Sequence, residues 1–253
     1  MPDAEATPLT SSVIGRLLDE LSWVGKSIRD YRRGGIGYEN VLVAETLLAL
    51  DFLPRSRFLG TVLRAAHGAD AARASAVDDI EASDLVVLPP EVKLRPSAES
   101  YQQQLVVQPD ASLVGPHTHT LIEAKRLRQG SFQQEQLARE FVAVTREAGS
   151  RIPLLLLIIP TPPPVPIKKL GRMSPEQAIA SSLVGVVDQT EHHPSTLEDL
   201  AARIAEVVAW ITWDELGSGV ERARSEFETA DSSIAGTVNR LCDLIADSLH
   251  RHR

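Results

Sequence analysis

Apolar positions along this chain follow two spacings, and the switch between them divides the sequence. From 10 to 31, Val13, Ile14, Leu17, Leu18, Leu21, Val24 and Ile28 recur at helical spacing and leave the other side polar, which predicts an amphipathic helix. Arg-Arg-Gly-Gly-Ile-Gly at 32–37 ends it, because glycines supply backbone freedom that a helix does not use. A second helix is predicted over about 38–52, with Val41, Leu42, Leu47 and Leu48 turned inward and Pro54 as its stop, and a weaker third over about 57–66. The Ala-, Asp- and Ser-rich stretch from Gly68 to Ser83 reads equally as an irregular connection or as a helix.

From Asp84 the pattern changes to short apolar runs bounded by turn residues. Leu85–Leu88, Leu105–Val107, Leu121–Ile122, Leu154–Ile159 and Leu183–Val187 read as strands. A helix over about 133–147 lies between the third and fourth, and another over about 196–211 follows the fifth. Strands alternating with helices predict an α/β fold, a mixed sheet covered on both faces, with the all-apolar Leu154–Ile159 as a central strand. The last predicted helix, about 232–250, carries Ile234, Val238, Leu241, Leu244, Ile245 and Leu249 on one face, to pack on the core or to pair with a second subunit. Thr161–Pro166 is proline-rich and reads as a stiff extended loop.

A length of 253 residues suits a single domain, with a core over about 36–215 and the helices at 10–31 and 232–250 as additions. Apolar residues at 43% and charged residues at 24% are ordinary for a globular chain. The longest apolar run, Leu154–Ile159, is far short of the roughly 20 residues that cross a bilayer. The first residues have neither the basic nor the apolar region of a secretory signal, so a cytoplasmic protein is expected. The single cysteine, Cys242, excludes an internal disulfide and a cysteine-based zinc cluster, and reads as a buried thiol. A net charge of −8 argues against coating nucleic acid by bulk charge, though not against a local basic groove. Basic residues collect at Lys26, Arg29, Arg32 and Arg33, at Lys125, Arg126 and Arg128, and at Lys168, Lys169 and Arg172.

Candidate chemistry lies between two of the predicted strands. Gln108-Pro109-Asp110-Ala111 opens one extended segment, and Leu121-Ile122-Glu123-Ala124-Lys125-Arg126 closes the next. Side chains two apart on a strand share a face about 6.6 Å from one another, so Glu123 and Lys125 project together while Ile122 and Ala124 face the core. If the two segments pair as an antiparallel hairpin, Asp110 converges on the same point. Two carboxylates make a hard oxygen site suited to Mg²⁺, which keeps waters and takes further oxygens from a phosphate. The adjacent ammonium orients a water or offsets charge building on phosphorus. That is equipment for hydrolysing a phosphodiester. The plain structural reading is that Pro109-Asp110 is a turn and Glu123 with Lys125 a solvated edge.

These residues resemble the PD-(D/E)xK superfamily, the restriction-endonuclease-like nucleases, over about 36–160 and on to the strand expected near Leu183. The resemblance implies a restriction-endonuclease-like mixed sheet flanked by helices, with Asp110 and Glu123 holding Mg²⁺ (Mn²⁺ as a substitute) and Lys125 positioning the water. In that family a helix before the sheet often adds an acid. Gly37-Tyr38-Glu39-Asn40 looks like it, giving Glu39 first and Glu45 second as a further metal ligand or base. A helix after the lysine strand often brings a glutamine. Gln133-Gln134-Glu135-Gln136-Leu137-Ala138-Arg139-Glu140-Phe141 is similar, with Gln136, or else Gln133, expected against substrate or Lys125. The chain departs from the subfamily in which tyrosine stands four residues after the glutamine, because Glu140 is there and Phe141 is one place beyond. The stretch from Phe58 to Gln104 is also an unusual separation.

The resemblance implies DNA as partner, with RNA as an alternative, and a role in restriction, repair or phage defence; the acidic total points to a homodimer or partner protein subunit, or to a narrowly confined basic groove. The rival expectation is a catalytically inactive nuclease-fold scaffold or nucleic-acid-binding subunit of a larger assembly. A third is a hydrolase of small phosphoesters. His117 with His119, and His192-His193, lack a third ligand at the usual spacing and read as ordinary residues. Trp210, Trp213 and Tyr101 read as base-stacking or, first, as core or interface packing residues.

Overall fold

The computed structural model describes residues 38–94, 105–125, 127, 131–190 and 193–253. The helix expected over 10–31, the basic residues from Lys26 to Arg33, and Tyr101, Arg126, Arg128 and His192 lie outside them.

The described chain opens with α1 (Tyr38–Phe52), α2 (Leu59–Ala65), α3 (Asp70–Asp78) and a 3-10 turn (Ile80–Ala82), so the Gly68–Ser83 stretch is largely helical. Leu42, Val43, Ala44, Leu47, Ala49 and Leu50 of α1 are all buried, as expected of a helix enclosed on most sides. Then come β1 (Asp84–Val87), β2 (Val92–Leu94), β3 (Leu105–Val107), β4 (Ala111–Val114), β5 (Thr118–Ala124), α4 (Gln134–Glu147) and β6 (Ile152–Ile159). The remainder is β7 (Val165–Ile167), β8 (Gly171–Met173), α5 (Pro175–Gln189), α6 (Leu197–Ala202), α7 (Ile204–Val207), β9 (Val208–Thr212), α8 (Trp213–Ser225) and α9 (Ser232–His252).

One mixed sheet of five strands runs β1-β4-β5-β6-β9. β1 with β4 and β4 with β5 are antiparallel, whereas β5 with β6 and β6 with β9 are parallel. Helices cover both faces, which explains why β6 shows no polar alternation. Leu154, Leu156 and Ile158 pack with α1, α2, α3, α8 and α9, while Leu155, Leu157 and Ile159 pack with α4 and α5. β2 with β3, and β7 with β8, form separate two-stranded ribbons.

Two expectations are corrected. Leu183–Val187 is no strand: it lies within α5, which Ser174 starts by accepting from the Gln177 backbone N–H at 3.1 Å while Gln177 Oε1 accepts from the Ser174 N–H at 3.2 Å. With Pro175 at the first helical position, that reciprocal cap sets a helical register that buries Ala178, Ile179, Ser182, Leu183 and Val186. The helix expected over 196–211 instead breaks into α6 and α7 and then becomes β9. Val208, Trp210, Ile211 and Thr212 suit a pleated surface, and β6 offers an open edge to pair with. Thr212 then caps α8, accepting from the Glu215 N–H at 3.1 Å. α9 packs on α1 and α8 through Val238, Cys242, Ile245 and Leu249, whereas Ile234 and Leu244 of its expected face are 46% and 40% exposed. Among the described residues no helix is long and apolar enough to cross a membrane.

The β4–β5 hairpin is pinned at its turn by Asp79. That carboxylate accepts from the His117 N–H (2.7 Å), His117 Nδ1 (2.8 Å) and Thr118 Oγ1 (2.9 Å). Burial alone would raise the Asp79 pKa, but these hydrogen bonds hold it below the ordinary value. A side chain at Gly115 has no room there, since a Cβ would stand 2.6 Å from Asp79 Oδ2. The turn thus fixes the register that sets Ala111 opposite Ile122 at the other end of the hairpin.

Candidate active site

β5 sorts its side chains between two layers. Ile122 and Ala124 enter the layer of α1, and Leu121 enters the layer of α4. Glu123 has the parity of Leu121 and therefore projects toward α4. Lys125, just past the strand, follows it, and its Nζ hydrogen-bonds Glu123 Oε1. The pair is enclosed, with side chains 12% and 4% exposed for Lys125 and Glu123. Because helices cover both sheet faces, the expected wall is packed between β5 and α4. Lys125 Nζ also lies 5.0 Å from the centroid of the buried Phe132 ring, a distance at which the ring face attracts a cation.

The backbone of Lys125 is held from both sides. Its N–H donates to Ile158 O at 2.8 Å, and its carbonyl accepts from Trp213 Nε1 at 2.7 Å. Trp213 is wholly buried at the first position of α8. Its link to the lysine was not foreseen, although Thr212-Trp213-Asp214-Glu215 carries a helix-start signature that would have placed it.

Asp110 immediately precedes β4, so the ladder sets it level with Glu123. Its Oδ2 accepts from the Ala124 N–H at 2.6 Å, and its carbonyl accepts from the Leu88 N–H at 2.8 Å. Leu88 itself has φ of 52°, a left-handed conformation costing a non-glycine residue roughly 1–2 kcal/mol. The hairpin on which convergence depended is therefore formed, with Asp110 bonded to the residue between Glu123 and Lys125.

From α4, Gln136 Nε2 donates to Glu123 Oε1 at 2.5 Å, so it contacts the carboxylate and not the ammonium. Gln133 is exposed at the helix start. One turn on, Glu140 was not foreseen as part of the site. It is 2% exposed, and its Oε2 has no hydrogen-bond partner among the described residues. Burial pushes its carboxyl well above the usual range; Glu123 and Asp110 add to this, while Lys125 and a hydrogen bond with Gln136 oppose it. The sequence held a clue: Glu140 sits inside the apolar stripe of Leu137, Phe141 and Val144, where a solvated carboxylate does not belong.

The helical acids stand differently. Glu45, the second choice, accepts from Ser248 Oγ (2.7 Å) and Arg251 Nη2 (2.9 Å) and is thereby committed to α9. The Glu39 backbone lies in the first turn of α1, and its side chain is outside the described residues. α1 packs on the sheet face opposite the one bearing Glu123. His117 is bonded to Asp79, and His119 is buried with its pKa lowered to about 4, first by burial and then by the charge of Arg151.

Among the described residues no group of three His, Cys, Asp or Glu side chains is gathered to hold a metal ion. The physical reason lies in the hydrogen bonds: Asp110 is turned to the Ala124 amide, and one Glu123 oxygen takes both Lys125 and Gln136. Mg²⁺ is ordinarily held by one or two carboxylates plus waters and phosphate oxygens. The paired acids and the unpartnered, buried oxygen of Glu140 are hard donors of that kind. Comparison with protein-family models, curated proteins and solved structures found no match for this chain.

Proposed function

We propose that this chain is a Mg²⁺-dependent nuclease of the PD-(D/E)xK, restriction-endonuclease-like type, hydrolysing phosphodiester bonds in DNA. The observation that carries the reading is the meeting of Lys125 and Gln136 on buried Glu123, on a strand paired antiparallel with the segment that Asp110 opens. An accidental acid-x-lysine triplet gives no reason for the lysine to be enclosed, its carbonyl to be capped by Trp213, or a glutamine from the next helix to reach the same oxygen. A mixed five-stranded sheet between helical layers supports the restriction-endonuclease-like fold.

Asp110 and Glu123 would hold the ion. When bound, it would offset charge on the phosphate and acidify a water. Lys125 has one task with two parts: its ammonium holds the Glu123 carboxylate in place and stands ready to orient water and oppose charge on the scissile phosphate. Gln136 fixes Glu123 from the other side. Glu39 remains an additional ligand or base within this proposal. The acidic chain would meet the polynucleotide through a narrow basic surface, or in company with a second copy or another protein.

One observation favours the rival reading of an inactive nuclease-fold scaffold. Glu123 Oε1 already receives two donors, and the described carboxylates do not gather in threes. A substrate panel separates the two. Purified protein is incubated with linear, circular and single-stranded DNA and with RNA, in Mg²⁺, Mn²⁺ or EDTA. Glu123→Gln and Asp110→Asn are preferable to alanine because they keep the side-chain volume and hydrogen-bonding atoms, leaving no cavity. Metal-dependent cleavage that falls more than about 100-fold in both variants supports the nuclease. Nucleic-acid binding without cleavage, unchanged in both, supports the scaffold. Turnover of a small phosphoester that DNA does not compete for supports neither.

A further inference from the structure

We propose that Glu140 is part of the cation site and binds the divalent ion together with Glu123. The inference rests on the nuclease reading and adds to it a residue outside the strand motif.

Gln136 and Glu140 are one helical turn apart on the same face of α4. Since Gln136 reaches Glu123 at 2.5 Å, the next turn sets Glu140 beside the same strand. Its side chain is enclosed, yet Oε2 meets no donor among the described residues. A buried polar atom without a partner calls for an occupant, such as an ion or a water. Glu140 feels the charges of Glu123, Lys125 and Asp110, so these groups share one electrostatic neighbourhood. Carboxylate oxygens of Glu140 and Glu123 are hard donors of the kind that, with waters and phosphate oxygens, suit a divalent ion. A structural role for Glu140, as a neutral acid packed in the core, would need no metal and is tested against directly.

The full chain is stripped of metal, and Mn²⁺ binding is measured by titration calorimetry and by electron paramagnetic resonance. Wild type, Glu140→Gln and Glu140→Leu are compared, with melting curves recorded in EDTA and in Mn²⁺. The expected result is Mn²⁺ affinity about 10-fold or more weaker in Glu140→Gln. In EDTA Glu140→Leu should melt at or above the wild-type temperature, because the buried oxygen without a partner is gone. Mn²⁺ should raise the melting temperature of wild type but not of Glu140→Leu. Wild-type Mn²⁺ affinity retained in Glu140→Gln overturns the inference and leaves the nuclease reading standing. Absence of Mn²⁺ binding by the wild type overturns both.

Discussion

Replacing Trp213 by Phe tests how the fold holds the candidate site. The substitution keeps an aromatic ring in a fully buried position but removes the indole N–H that meets Lys125 O at 2.7 Å. An unpaired buried carbonyl costs about 1–3 kcal/mol. The gap left by the smaller ring adds about 1 kcal/mol. A total of about 2–4 kcal/mol stays within the roughly 5–15 kcal/mol that natural chains hold in reserve, so the variant should fold. For a chain of 253 residues each kcal/mol moves the melting temperature by about 2–4 °C, giving a fall of about 5–15 °C. Melting followed by circular dichroism reads this, and urea unfolding with an unchanged slope confirms that the native state itself has weakened. Trp210→Phe is the control: Trp210 stacks on His67 in a half-buried position, and the change should cost under about 1 kcal/mol. Under the proposed nuclease function, loosening Lys125 also slows cleavage by about 10-fold or more, because groups displaced by an ångström lose about 100-fold. A Trp213→Phe melting temperature equal to wild type would refute the claim that this bond positions the lysine.

Two further outcomes concern the hairpin that sets the register. His119 is neutral in the fold with a pKa of about 4, while the unfolded chain takes up a proton near 6.5. Stability is therefore complete above pH 6.5 and is lost as pH falls toward 4, by about 3 kcal/mol for this group. His119→Gln should flatten the pH dependence of unfolding across that window, and parallel wild-type and variant curves would contradict it. Gly115→Ala forces a Cβ to 2.6 Å from Asp79 Oδ2 and should destabilise by about 1–3 kcal/mol in denaturant titrations, whereas an unchanged midpoint would show the turn to be slack.

What was legible in the sequence depended on where each element's determinants lay. β6 announced itself because Leu154–Ile159 is buried on both faces and so lacks any polar alternation. The hairpin between Asp110 and Glu123 was legible because strand parity and a tight turn are local. Leu183–Val187 misled because a short apolar run suits a strand or a buried helix equally; the cap at Ser174 decided it. β9 misled for a different reason: the helical spacing of Leu200, Ile204 and Val207 continues to Ile211, and only pairing with β6, some fifty residues earlier, turns it into a strand. At the site, two-residue spacing gave Glu123 and Lys125, and Gln136 came from the resemblance to the nuclease family. Glu140 escaped because its meaning lies in burial, which spacing alone does not reveal. Glu45 looked suitable by position, yet Ser248 and Arg251, about two hundred residues later, claim its carboxylate.

The most direct test of the central claim is the anomalous scattering of Mn²⁺ in crystals of this protein grown with a short DNA duplex. The claim predicts a peak within about 2–2.6 Å of carboxylate oxygens of Asp110 and Glu123, with a phosphate oxygen on its far side and Lys125 Nζ beside that phosphate. No metal peak beside Asp110 and Glu123, or DNA bound elsewhere while Glu123 keeps Lys125 and Gln136 as partners, would contradict it.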